Sequence, residues 1–169
     1  MRIVNEEFLL FWGSEDYLSN WHPVEFSVSD VVYQCVEQYM MAAKARMFGD
    51  LATEMKILQT PNPRSAKALG REVQGFDDAV WIRRRQKVVF DGCLAKFEQN
   101  PPLAIRLLES NPLHLVEASP YDRIWGIGMS ADDERAAQPS SWQGSNLLGS
   151  VLMRVRTELQ IKNPGGICR

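Results

Sequence analysis

The chain has 169 residues, of which 45% are hydrophobic and 24% charged, and its net charge at pH 7 is −2. This length suits one domain with its own core, and the small negative charge excludes a global basic field that would attract nucleic acid. The three cysteines are widely spaced, form no CxxC pair and lie far from both histidines, which argues against a zinc site and a disulfide framework. No signal peptide or membrane-spanning run is recognisable. We therefore expect a cytoplasmic protein with no membrane contact, no metal and no cofactor.

The first part of the chain predicts short strands that lead into helices. The predicted strands cover 8–12, 24–28 and 31–33. A helix is predicted over 34–48, and Gly49 is placed to end it. Asp50 then stands where the N-cap of a second helix is expected.

The rest of the chain alternates between helices and irregular segments, with one further strand. The predicted elements are helices at 62–73, 77–100 and 101–110, a strand at 115–119, a loop at 129–145 and a helix at 146–160. Several helices around a few short strands, without regular strand–helix alternation, predict an α+β fold. We expect a single domain over 1–160 and a flexible C-terminal tail over 161–169.

The first long helix carries a candidate pair of functional side chains. Glu37, Met41 and Lys44 are spaced by four and three residues, so they share one helix face. Two readings are open at this point: a solvated charged face, or a carboxylate and an amine that flank one bound group.

The segment 115–128, "LVEASPYDRIWGIG", is a second candidate. Glu117 points away from the face of the strand that its neighbours use, toward solvent or a cleft. Asp122 follows a proline, where an Asp often only bonds the backbone of a turn. Trp125 offers a flat face to a planar ring, or is a core residue. Gly126 and Gly128 leave space for a ligand or for another backbone segment.

Two other stretches have a functional and a structural reading. In "WQGSNLLGSVLM", Ser145 or Asn146 precedes a helix whose first N–H groups suit a phosphate, although a simple N-cap is the commoner use. The arginines of "WIRRRQK", Arg83–Arg85, form either a solvated helix face or a basic binding patch. Carboxylates, one lysine and stacking aromatics together suit hydrolysis of a glycosidic bond to a planar base.

Several motifs, in this order, resemble the NADAR family of YbiA-like N-glycosidases. They are "LSNW", "VEQYMMAAKA", "AKALGR", the Trp of "AVWIRRRQKVV", "KFEQNP", "LVEASPYDRIWGIG" and "WQGSNLLGSVLMRVR". The match covers about residues 8 to 159, nearly the whole chain. The resemblance implies an α+β domain that cleaves N-glycosidic bonds without a metal ion.

The resemblance also implies a set of site residues. As catalytic residues it singles out Glu37, Lys44, Glu117 and Asp122. As substrate-binding residues it singles out Asn20, Trp81, Trp125, Gly126, Gly128 and Asn146. If they form one site, their side chains must converge on one pocket. For Lys44 we favour a role in the chemistry, as a neutral amine that attacks the opened sugar, over simple charge pairing.

Three functions remain open from the sequence. The first is a hydrolase for phosphoribosylamino-pyrimidine intermediates of riboflavin synthesis. The second is a glycohydrolase that removes ADP-ribose from modified guanine bases of nucleic acid. The third is a non-catalytic module that binds ADP-ribose or a nucleotide and needs neither Glu37 nor Lys44. The partner is accordingly a phosphoribosyl or ADP-ribosyl small molecule, or ADP-ribosylated nucleic acid.

Overall fold

A computed structural model describes residues 1–163, so most of the predicted tail lies outside the described residues. The helices are α1 (Val36–Met47), α2 (Leu51–Leu58), α3 (Pro63–Arg71), α4 (Asp78–Glu98), α5 (Pro101–Glu109) and α6 (Leu147–Lys162). The strands are β1 (Arg2–Val4), β2 (Phe8–Phe11), β3 (Phe26–Val28), β4 (Val31–Tyr33) and β5 (His114–Glu117). Two short 3-10 helices, Glu134–Ala137 and Pro139–Ser141, interrupt the predicted loop at 129–145. The predicted α+β class is confirmed.

The helix ends follow local sequence signals. The Cys35 thiol, not a hydroxyl or carboxylate, occupies the N-cap of α1 and accepts the N–H of Gln38 at 3.5 Å. Gly49 follows the end of α1 with a φ of +75°, as its placement predicted. Asp50 caps α2 by accepting the N–H of Thr53 at 3.0 Å. The predicted start and end of these helices are therefore correct within two residues.

The chain divides into two compact units. The central unit is Asn20–Gln99, and the flanking unit joins Met1–Ser19 with the chain from Asn100 onward. The expectation that residues 1–160 act as one domain stays a prediction.

The flanking unit contains a three-stranded sheet in the order β1-β2-β5. β1 runs antiparallel to β2, whereas β2 and β5 are parallel, with Phe8 opposite His114 and Phe11 opposite Glu117. One face of the sheet is buried in a core cluster of apolar side chains. Its members are Phe8, Leu10, Val116, Ala118, Ile127, Met129 and Ala136. The parallel register therefore places Glu117 at the carboxyl end of its strand, level with the end of β2.

The central unit packs α1 beside α2, α3 and α4, with the antiparallel hairpin β3–β4 next to them. Tyr39 of α1 meets Tyr33 edge-on, with ring centroids 5.1 Å apart. The backbone of α4 comes close at Gly92, where an added Cβ would lie 2.4 Å from the Tyr39 ring. α1 is thus enclosed by its neighbours, which fixes the direction of the side chains that it carries.

Candidate active site

Glu37 lies in the first turn of α1 and is only 3% exposed. Its backbone N–H donates to the carbonyl of Asn20 at 2.9 Å, and Asn20 is itself buried. A solvated charged face is therefore the wrong reading for this part of α1. Because taking a carboxylate out of water is costly, a buried Glu has to be compensated by its surroundings.

Lys44, two turns further along α1, is half-buried among aromatic rings and one carbonyl. Its Nζ donates to the Gly70 carbonyl at 2.6 Å. The same Nζ lies 4.0 Å from the centroid of the Phe76 ring and 5.9 Å from that of Trp81. Burial lowers the pKa of Lys44 below its usual value of 10.5, and the carboxylate of Asp78 partly opposes this effect. The surroundings thus favour the neutral amine more than water does.

Gly70 lies where α3 approaches α1 closely. A Cβ at Gly70 would lie 2.0 Å from the Met41 sulfur, so a larger residue there would force the Met41 side chain to shift. The close approach brings the Gly70 carbonyl within hydrogen-bond distance of the amine. Met41 and Lys44, which the spacing placed on one helix face, therefore both face α3.

Asn20 and Trp81 complete the candidate residues of the central unit. The Asn20 Oδ1 accepts a weak hydrogen bond from the Cys93 thiol of α4 at 3.7 Å. Trp81 lies in the first turn of α4 and is 9% exposed, so much of its ring serves packing. Asn20 thus lies beside Glu37, and Trp81 lies beside Lys44.

Lys96, which lies in the "KFEQNP" motif, is not among the site residues predicted from the sequence. Lys96 is 1% exposed on α4, and burial lowers its pKa to about 8, with the Cys93 and Cys35 thiols opposing the shift. Burial also raises the pKa of the Cys93 thiol to about 12. A lysine in an amphipathic helix is normally solvated, so its burial was not expected. Its place in the "KFEQNP" motif is the one sequence signal that could have identified Lys96.

In the flanking unit, Glu117 is fixed through its backbone. Its N–H donates to the Asn146 Oδ1 at 3.0 Å, and its carbonyl accepts the N–H of Ile127 at 2.9 Å. The side chain is half-buried at the end of β5. β5 is thereby joined both to the start of α6 and to the "GIG" segment.

Asn146 has a role that neither reading of the sequence had considered. It stands at the N-cap position of α6 with a φ of +47°, but its side chain makes no capping bond. Instead its Oδ1 accepts from Glu117 and its Nδ2 donates to the Leu115 carbonyl at 2.9 Å. The amide therefore extends the hydrogen bonding of β5 at the edge of the three-stranded sheet. A small polar residue with access to positive φ meets this need.

Three N–H groups at the start of α6, where one reading of the sequence placed a phosphate, are bonded within the protein. The N–H of Leu147 donates to the Ile124 carbonyl at 3.3 Å, and that of Leu148 donates to the Trp125 carbonyl at 3.1 Å. The N–H of Asn146 is likewise bonded to the Gly126 carbonyl. These donors stabilise the 123–126 loop and are not available to a phosphate.

Asp122 and Trp125 belong to one tight turn. The Asp122 Oδ1 accepts the N–H groups of Ile124 and Trp125, both at 2.8 Å. The sequence had left this backbone-bonding role of Asp122 open. The two hydrogen bonds fix the backbone at Trp125 and with it the direction of the Trp125 side chain. Trp125 is half-buried. Neither observation tests the catalytic role of Asp122 or the stacking role of Trp125.

The glycines of the same loop are needed by the protein's own backbone. A Cβ at Gly126 would lie 2.8 Å from the Glu117 carbonyl oxygen and 2.9 Å from that of Asp122. Gly128 has a φ of +69°, which disfavours other residues. The space at Gly126 is thus filled by chain, and a part for either glycine in substrate binding stays a prediction.

The structure therefore brings the candidate residues together in groups. In the central unit Asn20 adjoins Glu37, and Lys44 adjoins Trp81. In the flanking unit bonded backbone and side chains link Glu117, Asp122, Trp125, Gly126 and Asn146. The convergence of all of them on one substrate stays a prediction.

Two further properties concern the described residues as a whole. Among residues 1–163, no three His, Cys, Asp or Glu side chains are grouped so that they could hold a metal ion. No helix in the same range has the length and apolar character needed to cross a bilayer.

Comparison with known proteins gives consistent matches over nearly the whole chain. The model of the NADAR domain matches residues 10–160. An N-glycosidase of Acanthamoeba polyphaga mimivirus is 42% identical over 147 residues, which cover 84% of this chain and 86% of that protein. A riboflavin biosynthesis protein of Vibrio vulnificus is 33% identical over 95% of this chain, which corresponds to 41% of the Vibrio protein. The NMR structure of the E. coli protein YbiA superposes with a TM-score of 0.79 at 25% identity, covering 99% of this chain and 93% of YbiA.

Proposed function

This chain belongs to the NADAR family, and we propose that it is an N-glycosidase that cleaves the bond between a ribose or phosphoribose and a planar base. The proposed substrates are phosphoribosylamino-pyrimidine intermediates of riboflavin biosynthesis. Two named relatives support this proposal, since one is an N-glycosidase and the other a riboflavin biosynthesis protein.

The environment of Lys44 carries the proposal. An amine that attacks the anomeric carbon must be neutral, and a lysine in water is almost fully protonated at pH 7. Around Lys44 the Phe76 and Trp81 rings and the Gly70 carbonyl replace water, and the pKa of the amine is lowered. A residue that only pairs with a phosphate would gain from the opposite change, because it needs the ammonium form.

The proposed reaction has two steps. In the first, the Lys44 nitrogen bonds to C1 of the sugar while the bond from C1 to the base nitrogen breaks, and an acid gives the departing base a proton. Opening of the sugar ring converts the adduct to a Schiff base. In the second step, water adds to C1, the bond from C1 to the lysine nitrogen breaks, and the free amine and the sugar aldehyde are released.

The other candidate residues have proposed parts in the same reaction. Glu37 is the proposed proton donor and acceptor, since it lies on the same helix and is buried. Glu117 and Asp122 are proposed to hold the ribose hydroxyls or the attacking water. Trp125 is proposed to stack on the base, with Trp81 next to Lys44.

A second candidate substrate is an ADP-ribosylated guanine of nucleic acid. Arg83 and Arg84 of α4 are both exposed, and exposed arginines suit the phosphates of a nucleic-acid strand. The same amine chemistry would serve, so the two candidates differ in the approach of the substrate and not in bond cleavage.

The proposal is tested by offering both substrates to the purified protein and separating the products. We expect a phosphoribosylamino-pyrimidine to yield the free base and a phosphoribose, with little release from ADP-ribosylated guanosine. The reverse order of rates would favour the second candidate. Binding of either compound without any cleavage would identify a non-catalytic module and contradict the proposal.

A further inference from the structure

The loop between α3 and α4 is held in a defined position over Lys44. The N–H of Gln74 donates to the Asp50 carboxylate at 2.9 Å. Gly75 follows with a φ of +68° and turns the chain, and an added Cβ there would lie 3.4 Å from the Phe48 carbonyl. Asp77 then caps α4 by accepting the N–H of Val80 at 2.9 Å. The backbone is therefore held on both sides of Phe76, at Gln74 and at Asp77, which restricts the position of the Phe76 ring.

The Phe76 ring covers the amine while it remains 41% exposed itself. One contact is with the Lys44 Nζ, 4.0 Å from the ring centroid. A second is with Phe48, whose ring meets Phe76 edge-on at 5.3 Å and 71°. The ring is thus held against both the Lys44 amine and the Phe48 ring while part of its surface stays open to water.

We propose that Phe76 is a positioning residue for the glycosidase reaction. Its ring shields the Lys44 amine from water and holds the amine against the Gly70 carbonyl. The inference rests on the proposed function in one respect, the use of Lys44 as the nucleophile. Phe76 itself takes no part in bond making.

Two effects of the ring on the amine oppose each other. The face of an aromatic ring attracts an ammonium, which raises the pKa of a lysine. Exclusion of water penalises the ammonium and lowers it. The pKa of Lys44 is lowered, with burial as the largest cause, which is the direction that exclusion of water gives.

The charged groups around the amine do not account for this direction. From α4, the Asp78 carboxylate raises the pKa of Lys44. From α3, the amine meets a carbonyl and not a charge. The next cation on α1, Arg46, is paired with Glu54 of α2. Removal of water by the surrounding rings is the cause that remains.

The test compares Phe76→Ala, which lets water reach the amine, with Phe76→Leu, which keeps an apolar cover. In Phe76→Ala we expect the rise of kcat/KM with pH to move up by about one pH unit, with about ten-fold less activity at pH 7 that returns at high pH. Phe76→Leu should stay within about three-fold of the parent profile. Met55→Ala removes another exposed apolar side chain, 62% exposed against 41% for Phe76, from α2 and is the control.

A second readout needs no substrate. The rate at which an amine-acylating reagent labels Lys44, followed by peptide mass analysis over a pH series, reports the neutral fraction directly. We expect labelling to shift to higher pH in Phe76→Ala and not in Met55→Ala. Unchanged labelling and an unchanged pH profile in Phe76→Ala would overturn the inference, as would an equal loss of activity at every pH, which indicates a structural role. A shift in labelling in a protein without glycosidase activity would instead contradict the proposed function alone.

Discussion

The face of α1 around Lys44 and the 117–128 loop both carry family motif residues, but their polar groups are used differently. Lys44 makes one hydrogen bond to a carbonyl and otherwise lies against aromatic rings. In the flanking unit, Asp122 and Asn146 direct their side-chain oxygens to backbone N–H groups. Motif residues thus comprise an amine held among aromatic rings and polar groups that build the loop, and sequence spacing alone does not separate them.

Substitution of Lys44 is expected to have the largest effect, and it tests whether the α1 face differs from the 117–128 loop in its role. Lys44→Ala should lower turnover about a hundred-fold or more, because the proposed nucleophile is removed. Lys44→Arg should not restore it, since a guanidinium keeps the charge but does not deprotonate. Borohydride added with substrate should leave a sugar adduct on Lys44, detected by peptide mass.

Lys56→Ala, which removes an exposed lysine from α2, is the matched control and should keep normal turnover. Near-normal rates in Lys44→Arg without a trapped adduct would leave Lys44 an electrostatic role only. Glu37 would then be the preferred nucleophile or acid–base group.

The second effect is on stability and concerns Asn146. Asn146→Ala leaves the Glu117 N–H and the Leu115 carbonyl without their partner, which should cost about 3 kcal/mol of unfolding free energy. Asn146→Asp keeps the acceptor but faces the Leu115 carbonyl with an oxygen, so it should also destabilise. Urea unfolding measures both, and a loss of turnover in a fully stable Asn146→Ala would show instead that the amide acts on substrate.

The third effect is a pH dependence of stability that arises from the charged and neutral forms of Lys96. Its pKa is about 8 in the folded protein against an ordinary 10.5, so the unfolded chain binds the proton more strongly between these values. The buried ammonium therefore destabilises the folded state fully below about pH 8, and this destabilisation is lost as the pH rises to 10.5. The free energy of unfolding of Lys96→Met should therefore exceed that of the parent by about 2 kcal/mol at low pH, and this difference should shrink above pH 8. A difference that does not change with pH would contradict a buried ammonium.

The smallest effect is expected at Asp122. Asp122→Asn keeps the oxygen that accepts from Ile124 and Trp125, so stability should change by less than about 0.5 kcal/mol and turnover by less than about ten-fold. Asp122→Ala removes that oxygen and should cost about 1 kcal/mol. A hundred-fold loss of turnover in a stable Asp122→Asn would show that the reaction needs the negative charge of the carboxylate and not only its oxygen, and the loop would no longer be the contrasting case.

The sequence predicted those parts of the fold that local signals determine. Gly49 and Asp50 bound their helices where expected, because caps act within one turn of the chain. β1 was missed, since a three-residue exposed strand exists only through its pairing with β2.

The candidate site was predictable in its residue types but not in their environments. The burial of Glu37 and Lys96 was missed because charged residues are usually exposed and nothing local marks the exceptions. The role of Asn146 was missed because its partners lie about 30 residues away in sequence, on a strand whose neighbours the sequence does not specify.

The parallel pairing of β2 with β5 has a consequence for synthesis on the ribosome. β2 emerges early, but its partner His114–Glu117 is made about 100 residues later, after the whole of Asn20–Gln99. At about 5 to 20 residues per second, β2 waits roughly 5 to 20 seconds with an unpaired edge. The central unit has all of its own residues before that sheet can close, so we expect a chain that ends after residue 99 and has left the ribosome to protect α1 from proteolysis while β2 remains cleavable.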